Sequence, residues 1–417
     1  MPSNTSGNVE ILLLLLVVTL VVALIVRRVQ WPYTLALVIV GLALGFWHVF
    51  PAVQLAPDAV LFLFLPALLF EGAINIDLQR LRADWFVVFL LAVPGLLVAI
   101  GIAAAFLHWG FGLAWLTALL LGAIISPTDP VSVLALFRQL GLPARLRTII
   151  EGESLFNDGV GAAIFATLLT VVLAQGHAAI GWQIGLNALW LMVGGPLIGV
   201  VIAWAVARLL QRQRIDDHLL ETSISISVAY GVYILSELAQ TSGLLAVIGA
   251  GIVLHNVRRA SETSTKTLDA IHDFWEILGY LANSLLFLLV GIQIGAGNFV
   301  RDLPGIWWAV VGVLAGRAAL IYGMLPVQNV RAMLARRQPH QIGQAHPKHI
   351  PARWQPILLF SGLRGALSLA LVLSLPVTLP GRDVLRGIVY GVVLVTLLGQ
   401  GIGLHYVLPF WKKGEKS

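Results

Sequence analysis

The chain has 417 residues, of which 59% are hydrophobic and only 11% are charged, and its mean hydropathy is +0.91. Soluble domains are nearer half apolar and a quarter charged, so this composition excludes an ordinary soluble protein. The absence of cysteine excludes a disulfide framework, Cys-ligated zinc and iron–sulfur clusters. The formal charge of +6 reflects membrane topology rather than a nucleic-acid partner, because the basic residues fall in loops.

Long apolar runs separated by short loops predict an all-α polytopic membrane protein. One crossing of the hydrocarbon core needs roughly 20 apolar residues, and the sequence holds about thirteen such runs. The predicted spans are 10–26, 32–50, 57–76, 85–107, 112–137, 148–174, 182–207, 218–238, 242–257, 272–295, 304–327, 355–377 and 387–410. The first span is predicted to be retained, because Arg27 and Arg28 follow its apolar run instead of preceding it as in a signal peptide.

The distribution of basic residues predicts the orientation of these spans. Loops that follow odd-numbered spans, together with the C-terminal tail 411–417, hold 21 of the 26 Lys and Arg residues. The opposite side holds only Arg301, Arg382 and Arg386. Because cytoplasmic loops carry an excess of Lys and Arg, this bias predicts an outer N-terminus and a cytoplasmic C-terminus.

The longest loop, at about 328–354, is basic and contains His340, His346 and His349. A histidine cluster can sense pH. Nothing in the sequence pairs these residues with the apolar spans, so the prediction is a solvated cytoplasmic loop, with a pH sensor as the alternative.

Charged residues inside the predicted spans are the informative ones, because each is costly in lipid. In the fifth span, Pro127 and Pro130 flank Thr128 and Asp129 within the segment SPTDPV. Each proline removes a backbone donor and disfavours helix at the residue before it, so the helix is predicted to break here. An unwound stretch at this depth offers carbonyl, hydroxyl and carboxylate oxygens to an alkali cation. The alternative is a simple proline kink with Asp129 as a local cap.

The sixth span begins with EGESLFNDG. In a helix, Ser154 and Asp158 are neighbours four residues apart, and so are Glu153 and Asn157. A buried carboxylate such as Asp158 can hold a proton or a cation but not both well, and that competition is the physical basis of antiport at a shared site. The alternative role for Asp158 is a hydrogen bond between packed helices.

Three further charged residues lie inside predicted spans: Glu71 in the third, Arg317 in the eleventh and Arg364 in the twelfth. Gly362 and Gly365 surround Arg364 in the twelfth span, which predicts a second helix break that matches the one in the fifth. Arg364 is predicted to offset carboxylate charge there, or else to be held by backbone carbonyls. A buried Arg317 needs an anionic partner, for which Glu153 is predicted. Glu71 in the third span is either an auxiliary cation or proton group or a packing residue.

The segments SPTDPV, EGESLFNDG and GLRGALSLAL, with residues 274–295, resemble the monovalent cation:proton antiporter-1 family, and its bacterial NhaP-type members above all. The resemblance covers nearly the whole chain and implies an antiporter fold with inverted repeats and discontinuous crossing helices. It implies that Asp158 carries the ion or proton. It also implies that Na⁺ binds at Asp158, Asp129, Thr128 and Ser154, that Asn157 and Glu71 support this site, and that Glu153 and Arg317 form a structural ion pair.

The resemblance further implies a homodimer in a bacterial cytoplasmic (inner) membrane, acting in pH homeostasis. Spans 4–6 and 11–13 (85–174 and 304–410) are expected to form an ion-transporting core, which moves against a dimerisation domain at 1–76 and 182–295. Asn157 in place of a second aspartate resembles the electroneutral branch, which exchanges one cation for one proton. The short tail differs from the animal exchangers and leaves calmodulin or kinase regulation in doubt.

The function expected from the sequence is therefore exchange of Na⁺, and also Li⁺, for H⁺ by alternating access, with no cofactor and no enzymatic reaction. No Gly-Lys phosphate motif for ATP hydrolysis is present. A K⁺/H⁺ exchanger of the same fold is one alternative. A passive cation channel is another, although a channel needs a continuous pore with rings of ligands. An intramembrane serine protease is disfavoured, because no deep histidine accompanies Ser154 or Ser361.

Overall fold

A computed structural model describes residues 5–29, 33–49, 60–129, 143–174, 181–213, 215–261, 264–296, 299–335 and 349–413. The secondary structure of these residues is helical, without β-strands. The helices are α1 Thr5–Val29, α2 Tyr33–Phe46, α3 Leu65–Ile74, α4 Leu78–Phe111, α5 Trp115–Ile125, α6 Ala144–Leu173, α7 Gly181–Arg212, α8 His218–Leu238, α9 Gly243–Arg259, α10 Thr265–Ala296, α11 Leu303–Leu334, α12 Gln355–Phe360, α13 Ala366–Leu373 and α14 Arg382–Lys413.

Every predicted span overlaps at least one of these helices. Seven helical segments in the described part of the chain are long and apolar enough to cross a membrane by themselves. They are Glu10–Arg28, Leu78–Phe111, Ala144–Leu173, Gly185–Arg212, His218–Leu238, Thr265–Ala296 and Leu303–Leu334. The all-helical membrane fold is thus confirmed, while the number of crossings remains a prediction.

Side-chain caps set where several helices begin. The Asp77 carboxylate accepts the backbone N–H groups of Gln79 at 2.9 Å and Arg80 at 3.2 Å at the start of α4. Asp217 does the same for Leu219 and Leu220 at the start of α8. The donors at Leu220 and Leu219 hold the pKa of the Asp217 carboxyl below its usual range. These carboxylates satisfy N–H groups that have no partner within the helix.

An ion pair joins α4 to α6 near the ends of both helices. The buried Asp84 carboxylate accepts hydrogen bonds from Arg145 Nε at 3.0 and 2.9 Å and from Nη2 at 2.7 Å. Arg145 Nη1 also donates to the carbonyl oxygen of His349 at 2.9 Å. His349 is exposed, as the sequence predicted for this loop. His340 and His346 lie outside the described residues.

Glycines allow neighbouring helices to approach at backbone distance. A Cβ added at Gly41 of α2 would overlap Leu288 O of α10, and one at Gly291 of α10 would overlap Val38 O of α2. Between α7 and α9, a Cβ on Gly199 would overlap the carbonyl oxygen of Ala246. Membrane helices associate through close packing of this kind, because lipid provides no hydrophobic drive between them.

We expect the substitution Gly199→Ala to lower the thermal unfolding midpoint of the detergent-solubilised protein. The added methyl group has no room against Ala246, and overpacking of this kind costs about 1–3 kcal/mol. Gly231→Ala is the matched control, since Gly231 lies in α8 and a Cβ there meets no atom within 4 Å. Alanine is about 1 kcal/mol better than glycine in a helix, so the control should unfold no earlier than the wild type. Equal midpoints for the two variants would contradict the close-packing account.

Candidate functional site

Two non-helical stretches, residues 126–129 and 361–365, meet in the interior of the protein. Helix α5 ends at Ile125, and residues 126–129 are not helical. In the second interruption, residues 361–365 separate α12 from α13. The backbone N–H of Asp129 donates to the carbonyl oxygen of Leu363 at 2.8 Å, which joins the two interruptions directly. Both predicted breaks are therefore present, although Pro130 lies outside the described residues.

The Asp129 side chain lies against the start of α13. A Cβ at Gly365, the residue that precedes α13, would overlap the Oδ2 atom of Asp129. Only glycine leaves room for the carboxylate at this point. The first turn of a helix carries a partial positive charge, so α13 stabilises a negative charge on Asp129.

Thr128, Ser154 and Asn157 form a closed hydrogen-bond network between the first interruption and α6. The Asn157 side chain accepts the N–H of Thr128 at 3.2 Å and donates its amide to Thr128 Oγ1 at 2.8 Å. Thr128 Oγ1 also lies 3.0 Å from Ser154 Oγ. All three residues are at most 3% exposed. The network replaces the helical hydrogen bonds that the interruption removes, and it fixes Thr128 to α6.

Glu153 and Arg317 are in contact, as the sequence predicted. Arg317 pairs with both carboxylate oxygens of Glu153, and the Nη2 to Oε2 distance is 3.2 Å. Arg317 Nη2 also donates to the carbonyl oxygen of Leu358 in α12 at 2.7 Å. A Cβ at Gly362 would lie 2.8 Å from Arg317 Nε, so glycine makes room for this arginine. One guanidinium thus connects α6, α11 and the end of α12.

Arg364 lies in the second interruption and is 1% exposed. Its Nε and Nη1 atoms have no hydrogen-bond partner among the described residues. Its charge is repelled by that of Arg317 and attracted by those of Glu153 and Asp158. The site therefore holds a second buried guanidinium besides that of Arg317. It offsets carboxylate charge, and its Nε and Nη1 atoms make no hydrogen bond to a described residue.

A cavity of about 380 Å³ brings most of the predicted ion-binding residues together. Its walls include Glu71, Thr128, Asp129 and Asp158. It is lined by α2, α3 and α10, and also by residues 127–129, α6 and the start of α13. Asn75 and Glu276 line it as well and are exposed, so the cavity is open to solvent at that end.

Several predicted site residues lie behind the cavity wall rather than in it. Ser154, Asn157, Glu153, Arg317 and Arg364 are not among the lining residues of the described chain. Glu71 does line it, and its Oε1 accepts the side-chain amide of Asn75 at 2.9 Å. The structure thus separates residues that face the cavity from residues that hold those in place.

Sequence reasoning assigned no site role to two acidic residues of the cavity wall, Glu151 and Glu276. Glu151 precedes Asp158 by seven residues, and Leu155 between them lines the cavity too. A spacing of four and then three residues places Glu151, Leu155 and Asp158 on one helix face. The helical periodicity of α6 could therefore have predicted that Glu151 faces the cavity. Glu276 lies 3.7 Å from His272, measured from Oε2 to Nδ1.

The family profile described as "Sodium/hydrogen exchanger, transmembrane" matches residues 13–409 of this chain. The chain belongs to the sodium/hydrogen exchanger family. Among curated relatives within this match, the Na⁺/H⁺ antiporter NhaS2 of Synechocystis sp. is 36% identical over 401 residues, which are 96% of this chain and 70% of that protein. The Na⁺/H⁺ antiporter NhaH of Halobacillus dabanensis is 32% identical, and the alignment covers 96% of this chain and 96% of that protein.

The architecture of this exchanger-family chain also matches a solved structure. The sodium proton antiporter MjNhaP1 from Methanocaldococcus jannaschii superimposes with a TM-score of 0.75, over 96% of this chain and 100% of that one. The identity is 17%, so this likeness establishes the fold. It confirms the antiporter fold that the sequence motifs implied.

We expect Glu153→Gln to destabilise the protein strongly, because it leaves Arg317 charged and buried. Removing one partner of a buried ion pair costs about 3–5 kcal/mol, whereas replacing both by apolar residues is often neutral. The double substitution Glu153→Leu with Arg317→Met should therefore recover much of the lost stability. It should not recover all of it, because the hydrogen bond from Arg317 to the carbonyl oxygen of Leu358 is also removed. Thermal unfolding in detergent measures both.

The control for this pair is Arg80→Gln. Arg80 is 59% exposed and lies 3.5 Å from Asp77, and exposed pairs are worth about 0–1 kcal/mol. A double variant that is less stable than Glu153→Gln alone would show that the pair is not the source of the destabilisation.

Proposed function

We propose that this protein exchanges Na⁺ for H⁺ across a membrane. One observation carries the proposal: Asp129 and Asp158 line one solvent-open cavity beside the point where the two non-helical stretches meet. Oxygen ligands at such a point suit an alkali cation. The relatives are named Na⁺/H⁺ antiporters, which favours Na⁺ over the K⁺ alternative.

Competition at Asp158 supplies the coupling in this proposal. Asp158 is a partly exposed residue and lines the cavity. Either a proton or a cation can neutralise it, and each excludes the other. When the loaded site moves to the opposite side of the membrane, it carries either the proton or the cation. An empty site is charged, and moving that charge through a low-dielectric region is energetically unfavourable. Obligatory exchange follows.

The charges of Asp129, Asp158 and Arg364 support a stoichiometry of one cation for one proton, provided that Glu71 and Glu151 of the cavity wall keep the same charge throughout the cycle. Glu153 and Arg317 compensate each other. Asp129, Asp158 and Arg364 together carry one net negative charge when the carboxylates are ionised and the arginine protonated. One Na⁺ or one H⁺ brings that sum to zero, so both loaded forms are neutral. This agrees with the electroneutral exchange that Asn157 beside Asp158 implied.

The two walls of the cavity support the predicted division into two domains. Helices α2, α3 and α10 fall within the proposed scaffold at 1–76 and 182–295. Residues 127–129, α6 and α13 fall within the proposed core at 85–174 and 304–410. A cavity between two bodies is where alternating access by relative movement needs it. We propose that the scaffold also forms a homodimer interface, on the strength of the family resemblance.

In proteoliposomes with an acid interior, external Na⁺ should raise the interior pH of wild-type samples and leave Asp158→Asn samples unchanged. The amide can neither bind a proton reversibly nor offer a charge to Na⁺. The rate should not respond to a clamped membrane potential if the exchange is electroneutral. A pH-sensitive dye follows the reaction, and parallel Li⁺, K⁺ and choline traces define selectivity.

Asp269→Asn is the matched control for this assay, because Asp269 is exposed on α10 and does not line the cavity. Exchange that persists in Asp158→Asn would remove Asp158 as the carrier. Na⁺ flux without proton movement in the wild type would favour the channel alternative.

We propose an inner-membrane location with the N-terminus outside, from the bias of basic residues. The chain contains no cysteine, so single cysteines report topology without background. A membrane-impermeant maleimide added to intact spheroplasts should label Asp383→Cys, which lies at the start of α14 on the predicted outer side. Asp273→Cys, in the third turn of α10 and at the predicted cytoplasmic end of the tenth span, should be labelled only after permeabilisation. The reverse pattern would invert the proposed orientation.

A further inference from the structure

The side-chain hydroxyls predicted as cation ligands are already engaged with each other. Thr128 Oγ1 accepts from Asn157 and lies at hydrogen-bond distance from Ser154 Oγ. Neither Ser154 nor Asn157 lines the cavity in the described part of the chain. A cation that reaches Asp158 through the cavity therefore needs a neutral oxygen from another residue.

Ser368 on α13 has the properties of such a residue. It lines the cavity together with Asp129 and Asp158, although it is only 1% exposed overall. Its Oγ atom has no hydrogen-bond partner among the described residues. A buried hydroxyl without a partner costs about 1–3 kcal/mol, and such an atom in a native structure calls for a functional explanation.

The neighbouring serines show that this arrangement is not a general property of the segment. Ser361 Oγ donates to the carbonyl oxygen of Leu358 at 3.0 Å, and Ser374 Oγ donates to that of Leu371 at 2.7 Å. Both are buried, and both bond to the preceding helical turn. Ser126 and Ser236 also have unpartnered hydroxyls, but neither lines the cavity. Among the described serines, Ser368 alone combines the two features.

Ser368 and the Asp129 side chain both lie at the start of α13. Ser368 is the third residue of α13, and Asp129 packs against Gly365 just before that helix. Gly365 and Ser368 are therefore separated by less than one helical turn, which rises about 5.4 Å. The site thus offers a carboxylate and a neutral hydroxyl at the same helix start.

We propose that the Ser368 hydroxyl is a direct ligand of the transported cation, which completes a set of oxygen ligands together with Asp129 and Asp158. The proposal rests on the Na⁺/H⁺ exchange proposed above and extends it to the second interrupted helix. A cation must replace its lost water oxygens with protein oxygens, whereas a proton needs only a carboxylate. Ser368 therefore sets affinity for the cation and not for the proton.

Transport kinetics of Ser368→Ala in proteoliposomes test this role. The apparent KM for Na⁺ and Li⁺ should rise about tenfold, the effect of losing one polar contact to a charged group. The maximal rate and its dependence on proton concentration at saturating Na⁺ should stay near the wild-type values. Ser368→Cys keeps the volume but offers a poor ligand for an alkali ion, so it should behave like alanine. Ser368→Thr keeps the hydroxyl and should restore low KM.

Ser374→Ala is the control, because the Ser374 hydroxyl donates to the carbonyl oxygen of Leu371 in the last turn of α13 and Ser374 does not line the cavity. An unchanged KM in Ser368→Ala and Ser368→Cys would overturn the proposal. So would a fall in maximal rate at constant KM, which would indicate a structural role.

A binding measurement separates this proposal from the proposed function. Thermal unfolding in detergent at alkaline pH is followed while NaCl replaces choline chloride at constant ionic strength. Na⁺ should raise the wild-type midpoint, and Ser368→Ala should need about tenfold more Na⁺ for the same shift. If the wild type binds Na⁺ but does not exchange it, the exchange proposal fails while Ser368 is still tested. Equal Na⁺ dependence in both proteins overturns the role of Ser368.

Discussion

Two stretches of unwound backbone inside an apolar protein impose the constraint on which the rest of this structure depends. Every polar group freed by an interruption must find a partner within the protein, because lipid offers none. The hydrogen bond from Asp129 N to Leu363 O joins the interruptions to each other. Asn157 satisfies Thr128, and Arg317 reaches the freed carbonyl of Leu358. Most polar groups around the two non-helical stretches therefore bond to each other and stabilise the fold. Only the remaining oxygen atoms are available to bind an ion.

The same constraint explains why the charges are sorted into two layers. Glu153 and Arg317 neutralise each other behind the cavity wall, where an unpaired charge would be most costly. Asp158 lies in the wall itself and is reached from the cavity. Glycines at 362 and 365 give Arg317 and Asp129 the space to approach the interrupted backbone. Close packing at these glycines thus sets the positions of Arg317 and Asp129 relative to the non-helical backbone.

Much of this arrangement follows from single residues of the sequence. Pro127 and the glycines around Arg364 predict the interruptions, since each weakens a helix locally. A buried arginine requires an anion, which predicts the partner of Arg317. The sequence does not predict which hydroxyls are consumed in the Thr128 network, because that depends on how α6 packs against residues 126–129. The cavity-facing positions of Glu276 and Ser368 depend on the approach of α10 and α13, which periodicity within one helix cannot define.

The open cavity also determines where the electric field of a charged membrane falls. A solvent-filled cavity of about 380 Å³ has a high dielectric constant compared with packed helices, so Asp158 is held near the potential of the solution that fills it. The voltage drop is then concentrated in the thin protein layer on the far side of the two non-helical stretches. A unit charge that crosses 100 mV changes energy by about 2.3 kcal/mol. Binding from the cavity moves little charge through that field, and the loaded site that then crosses it is neutral, so a membrane potential acts weakly on both steps of the proposed exchange.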